Sequence, residues 1–369
     1  MTDPLKLTNT SVHGFSPAGG GISEYHCMIR VSDPLLPFGA QLAAVLEAFH
    51  AFAAGRNVLF RRFFLSDPAN QTAPLLEALA GTGDCPTSVI GQPLLDGTKV
   101  AAWVYAVDGP QAADGVWEHN SLTHVWKGMM LSGSEGSEAQ MHDLFKEYDS
   151  FLGSHGMSVA NNCIRTWIFV RDVDTNYGGV VKGRRDYFNA IGLTPDTHFI
   201  ASTGIGGVNA GAHTLVNMDA YAVKGLEAGQ VQYLHAYDHL SPTALYGVTF
   251  ERGTAVTYGD RRHLFISGTA SIDPEGRVLH EGDVARQTDR MMENIGALLS
   301  EGGAGFKDIA CAIVYLRDIA DYAVVKARLS AEYPFLDPLY VLAPVCRPTW
   351  LVEMECIAIA PASSGFSSF

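Results

Sequence analysis

Glu353 is the residue of this sequence best suited to acid–base chemistry, because it stands in the apolar run LVEMECIAIA (351–360). Loss of water around such a carboxyl raises its pKa and keeps a proton available near neutral pH, which is what a general acid requires. The structural alternative is that Glu353 and Glu355 merely alternate with apolar residues on an ordinary strand, solvated or paired with an arginine. Cys346, seven residues upstream, has no base beside it in sequence and reads as a small buried pocket wall rather than a nucleophile. His235, Asp238 and His239 are spaced i, i+3, i+4, the spacing of one side of a metal site on a helix. Pro242 and the lack of a helical run favour polar linker residues that rim a cleft, so no metal is assigned. STGIGGVNAG (202–211) has the glycines of a phosphate cradle but neither the GxGxxG spacing nor a following helix, and is expected to be a flexible hairpin between two strands. With no G-x-S-x-G elbow, P-loop or zinc signature, no cofactor is assigned either.

The elements that must position Glu353 recur about every hundred residues as helix, strand, helix, strand, strand. In the first copy the helix is 41–55, a strand ends at Asp67, a short helix follows from Asn70, and 99–107 is a long strand. In the second, the strand NNCIRTWIFVRD ends at Asp172, VVKGRRDYFNAIG is the second helix and 213–223 closes the copy. In the third, DIACAIVYLRD ends at Asp318, DYAVVKARLSAEY is the second helix and 351–360 closes it. Each copy also has apolar, strand-like sequence upstream: 24–31, 123–131 and 263–272. The fold class is therefore α+β, three tandem modules at 1–112, 113–228 and 229–369, each a mixed sheet with two helices on one face. Linkers are expected near 108–120 and 224–245. Aligning Ile359, Val223 and Val107 sets Glu353 against Asn217 and Ala101, so only the third module carries a carboxylate there. A fused chain can keep one cleft and let the others decay.

The stretch from Phe265 to Ala360, with FISGTASIDPEGRV, Gln287, Asn294, VYLRDIADY and LVEMECIAIA, resembles the RidA-like (YjgF, translation-inhibitor) family. The resemblance implies a RidA/chorismate-mutase-like fold, and three modules in one chain imply a pseudo-trimer with sites in the clefts between modules. SGTASI with His280, the pair Glu293–Asn294, Cys346–Arg347 followed by Glu353, RTW (165–167) and YGVTFERG (246–253) are similar to the chorismatase branch. That likeness implies hydrolysis of the enolpyruvyl ether of chorismate, with release of pyruvate and a dihydrodiol or hydroxybenzoate. Glu353 would then be the catalytic acid. Arg165, Arg252 and Arg347 would hold substrate carboxylates, as guanidinium forks do, and Cys346 would line the same cleft. Tyr246 lies in the matched string, and Tyr340 stands where RidA deaminases carry a carboxylate-binding arginine. Each tyrosine is either a substrate donor or a packed aromatic. Arg184 and Arg185 read as a solvated helix face. Chorismatases usually have FNAGR-like and AYRYP-like strings where this chain has FNAIG (188–192) and AYDH (236–239). The missing deaminase arginine weighs against enamine or imine deamination, the alternative activity, and the retained Glu353 weighs against a non-catalytic small-molecule-binding protein.

The chain has 369 residues, 47% of them apolar and 17% charged, a globular composition long enough for two or three folded units. A net charge of −14 without runs of Lys and Arg disfavours nucleic acid as a partner. The expected partner is a small-molecule carboxylate, with no membrane partner and the chain a monomer or small homo-oligomer. The six cysteines, scattered singly, read as reduced thiols, and the first twenty residues lack a leader pattern. The expected location is cytoplasmic.

Overall fold

Runs of Val, Ile, Phe and Trp without alternating polar residues belong to strands covered on both faces, and each third of the chain is built around two of them. The computed structural model describes residues 7–369. In its first sheet β1 (Thr8–Phe15), β2 (Glu24–Val31), β3 (Asn57–Leu65), β4 (Thr87–Gly91) and β5 (Val100–Val107) lie in the order β1-β2-β5-β3-β4, with α1 (Phe38–Ala53) and α2 (Pro68–Leu79) between strands. The second contains β6 (Val116–His119), β7 (Leu122–Leu131), β8 (Cys163–Val170), β9 (Ala201–Gly206) and β10 (Val216–Lys224), ordered β6-β7-β10-β8-β9, with α3 (Ser137–Ser154), the short α4 (Val159–Asn162) and α5 (Val173–Ala190). The third has six strands, β11 (Val231–Leu234), β12 (Gly253–Thr257), β13 (Arg261–Ala270), β14 (Ile309–Leu316), β15 (Leu339–Leu342) and β16 (Val352–Pro361). Their order is β11-β12-β13-β16-β14-β15, with α6 (Val284–Glu301) and α7 (Tyr322–Glu332). Among these strands β3–β4, β8–β9 and β14–β15 pair in parallel and the others antiparallel, because α2, α5 and α7 supply the crossovers that parallel neighbours need. The fold is thus mixed α+β.

Two expectations are corrected. The stretches 108–120 and 224–245 are not plain linkers: β6 and β11 lie within them and pair antiparallel with β7 and β12. Four-residue segments carry too little periodicity to be read from sequence, and an open sheet edge recruits them through its unpaired backbone groups. The glycine-rich stretch from 202 is not a hairpin either, since Ala201–Gly206 is a strand parallel to β8.

Side-chain alternation explains the double burial. On β5, Ala102, Val104 and Ala106 face the helix layer with Phe49 of α1, whereas Trp103 and Tyr105 join Phe60, Trp126, Trp167, Tyr221 and Phe265 in a central cluster fed by all three sheets. The sheets meet in a ring: β4 packs on β7, β9 on β13, and β14 on β2. Backbone hydrogen bonds close the seams, from Gly91 N–H to Val208 O, Gly206 N–H to Pro344 O and Leu342 N–H to Pro93 O. Gly206 is required there, because a Cβ would lie 2.7–2.9 Å from Pro344. Among the described residues no helix is long and apolar enough to cross a membrane.

Candidate active site

Glu353 is the second residue of β16, as Asn217 is of β10 and Ala101 of β5. Its Cα partners are Ala270 on β13 and Tyr315 on β14. The carboxyl rests against Gly268, where a Cβ would come within 2.1 Å of Oε1; the missing side chain makes the space for the acid. Gly268 donates its N–H to Thr203 Oγ1 on β9 (2.9 Å), tying the second module to the third beside Glu353. Burial, then the neighbouring Glu355 carboxylate, push the Glu353 pKa up to about 8, against the opposing pull of Arg252 and Arg165. A buried carboxyl that keeps its proton at neutral pH is a proton donor in waiting.

Above Glu353 is a cleft between the second and third modules. Val248, Phe250, Ile272 and Trp350 form apolar walls, and Arg184, Arg252 and Arg347 bring three guanidinium groups to it. Cys346 is part of the wall; burial first, and Glu353 second, push its thiol up to about 12, so it is no thiolate nucleophile. The Arg347 guanidinium lies 4.9 Å over the Trp350 ring. Arg252 donates from Nη2 to Ser241 O (3.1 Å) and Oγ (3.4 Å), which fixes the loop beyond the cleft. Gln287 and Asn294 of α6 hold the frame. Asn294 Nδ2 donates to Ala270 O and Ile272 O, while Gln287 donates to Thr349 O and accepts from Leu351 N–H.

Three sequence expectations change in place or role. Arg165 does not line the cleft: it lies beneath it, with Nη2 2.7 Å from Glu355 Oε2 and 2.5 Å from Thr203 Oγ1. Tyr340 lies at a different junction, where its carbonyl accepts from Leu95 N–H of the first module and its ring meets Tyr322 at 5.5 Å. Each cleft joins the closing strand of one module to the penultimate strand of the module before it. The strand register makes Gly204 the counterpart of Tyr340, paired with Ile168 as Tyr340 is with Val314, and Gly204 lines the Glu353 cleft. Arg184 is not on a solvated face: it is buried, donating to Thr249 Oγ1 (3.1 Å) and Ser202 Oγ (3.4 Å), whereas Arg185 is exposed. The Tyr246 side chain lies outside the described residues.

Sequence reasoning passed over Tyr177 and placed neither Arg184 nor Ser202 in the cleft that all three line. Tyr177 and Arg184 stand seven residues apart on α5, two helical turns on one face, and the buried Val180, Tyr187 and Phe188 share the apolar spacing. That spacing was the available signal. FNAIG ends α5 with Gly192 exposed, and AYDH borders a second cavity that is lined by His235, Tyr237 and Glu251 and shares Arg252 with the cleft. Neither departure therefore touches the Glu353 cleft. His235, Asp238 and His239 lie in an extended stretch and a turn rather than on a helix, with His235 Nδ1 3.5 Å from Glu251 Oε2. Among the described residues no three His, Cys, Asp or Glu side chains are grouped to hold a metal.

The family model described as Endoribonuclease L-PSP matches residues 253–360. A RutC family protein of Pyrococcus abyssi is 38% identical over 97 residues, covering 26% of this chain and 76% of that one. The 3-aminoacrylate deaminase RutC of Acinetobacter baylyi is 31% identical over 97 residues, 26% of this chain and 77% of its own. A 3-hydroxybenzoate synthase of Streptomyces hygroscopicus is 28% identical over 222 residues, 54% of this chain and 64% of its own. The crystal structure of a chorismatase superposes with a TM-score of 0.61 at 18% identity, covering 95% of this chain and 98% of that one, a likeness of fold. A third module that matches RutC relatives over three-quarters of their length makes this protein a member of the RidA-like (YjgF) family, with a fold like that of the chorismatase structure over 95% of the chain.

Proposed function

We propose that the protein is an enzyme acting on chorismate or a closely related carboxylated cyclic enol ether, with release of pyruvate. The observation that carries this reading is a buried carboxyl, Glu353, whose pKa burial pushes up to about 8, at the floor of a cleft lined by Arg184, Arg252 and Arg347. Enol-ether cleavage begins with a proton delivered to the terminal methylene carbon, and a single neutral carboxylic acid suffices. The C=C electron pair forms the new C–H bond, and the ether carbon becomes oxocarbenium-like. Water adds there, and collapse of the hemiketal gives pyruvate and the ring alcohol. Capture by a neighbouring ring hydroxyl is the other route. The water or hydroxyl proton returns to the Glu353 carboxylate, so the acid is regenerated.

The arginines suit a substrate with two carboxylates, and the apolar walls suit its ring. Similarity to a 3-hydroxybenzoate synthase and the chorismatase fold support the same substrate class. Enamine deamination has less support, because Gly204 faces Glu353 where the family's arginine would be needed. Purified protein incubated with chorismate is expected to release pyruvate, read through coupled lactate dehydrogenase, together with a dihydrodiol or hydroxybenzoate identified by chromatography. Glu353→Gln keeps the shape and removes the proton, and is expected to lose turnover by about 10²-fold or more. Turnover of the variant within a few-fold of the parent would dismiss Glu353 as the acid, and ammonia from 3-aminoacrylate would favour the deaminase reading.

A further inference from the structure

Beneath Glu353 is a lattice of buried charge that the proposed proton transfer does not itself use. Glu355 is two residues along β16 and so on the same face. Its Oε2 accepts from Arg165 Nη2 (2.7 Å) and its Oε1 from Trp167 Nε1 (2.9 Å), both on β8. Arg62 of β3 brings Nη1 to 4.0 Å from Glu355 Oε1. The Arg62 guanidinium is itself held at Asp219 Oδ2 of β10, 2.9 Å from Nε and 2.8 Å from Nη2, with the Trp103 and Trp167 rings about it. Asp219 Oδ1 accepts from Met129 N–H at 2.7 Å. Arg62 and Asp219 are fully buried, so three modules join in one buried ion cluster. Isolated buried charges are costly, and such clusters persist only where partners surround them.

We propose that Glu355 is a positioning residue for Glu353: held by Arg165 and Trp167 of the second module and faced by Arg62 of the first, it sets a fixed carboxylate charge beside the acid and keeps that acid protonated. The inference rests on the reading of Glu353 as general acid, and it gives the first module, which has Ala101 in place of an acid, a part in the site. The titrating neighbours agree. Burial first and Glu355 second raise Tyr315, Cys311 and Cys356 on the adjoining strands, as they raise Glu353. Arg252 from the cleft side and Arg165 from beneath oppose this by favouring the ionised acid; Arg347 and Arg184 also line the cleft, and burial raises the Tyr177 hydroxyl and the Cys346 thiol.

The test compares the Glu353 carboxyl titration in the parent, Glu355→Gln and Glu355→Asp, followed by ¹³C NMR of labelled glutamate and assigned by the signal missing in Glu353→Gln. No substrate is needed. Glu355→Gln is expected to move the Glu353 midpoint down by about one unit or more, whereas Glu355→Asp, which keeps the charge, leaves it near the parent value. A purely structural role predicts the reverse order, because Gln is the better fit in shape. Should Glu355→Gln not fold with Arg165 left alone, Arg165→Gln/Glu355→Gln removes both charges and should still move the midpoint down, since Glu355 acts on Glu353 more strongly than Arg165 does. A midpoint unchanged in the Gln variants would overturn the proposal. Failure to release pyruvate from chorismate would overturn the substrate reading alone, because the titration is read without turnover.

Discussion

The Glu353 carboxyl has an ordinary pKa of 4.5 when unfolded and one of about 8 in the native chain. Between those values the native state binds a proton that the unfolded state has released, so stability falls as pH rises. The contribution of Glu353 is full below about 4.5 and lost as pH passes through about 8. Glu353→Gln has no such proton, and it should therefore gain stability relative to the parent between pH 5 and pH 8.5, by about one to a few kcal/mol in denaturant titrations. In the same window kcat/KM of the parent should fall on the alkaline side with a midpoint near 8. A flat stability difference across the window would mean that the carboxyl is already ionised at neutral pH, and the acid role would have to be given up.

Strands and helices place that residue, and they differ in how much of the placement local pattern reveals. On β13, Gly268 vacates the space that the Glu353 carboxyl fills, and an added Cβ would stand 2.1 Å from Oε1. Gly268→Ala should consequently displace the acid and lower turnover by about 10²-fold, while circular dichroism reports a folded protein; a variant as active as the parent would show that the carboxyl has room to retreat. Glu353 could be read from sequence because one strand, aligned with its two counterparts, contains the whole signal. Arg184 could not be read by its charge, which suggests solvent, although Val180, Tyr187 and Phe188 put it on the buried face of α5. Tyr340 was misplaced for a different reason. A register within one module says nothing about which neighbouring module faces it, and only the ring of sheets shows that Gly204 stands opposite Glu353. The edge strands β6 and β11 were hidden because each is four residues long and owes its form to the sheet it joins.

At the scale of the molecule, the three modules meet around a second set of buried ionisable groups, away from the cleft. Glu24 of the first module is 2.6 Å from Arg261 Nη1 and 2.7 Å from His263 Nε2 of the third, and accepts from Tyr105 Oη at 2.9 Å. Burial alone would raise Glu24, but His263 and Arg261 bring it down to about 2. Burial lowers His26, bonded to Trp103 Nε1, and His124, bonded to Tyr221 Oη, to about 3 each. For both histidines the unfolded chain takes up protons below 6.5 that the native chain refuses until about 3. Stability is therefore lost as pH falls through that interval, at up to about 1.4 kcal/mol per pH unit for each histidine. Glu24 adds its loss lower down, between its ordinary 4.5 and about 2. Since these groups sit where the modules join, acid should act on their association as well as on each sheet. Urea unfolding at pH 7.5, 5.5 and 4 is expected to give a steep acid slope, and His26→Gln or His124→Gln should each flatten it by about one proton. A slope that neither substitution changes would mean that the seam histidines are already charged in the native protein, and that the acid limit of stability is set by the carboxylates alone.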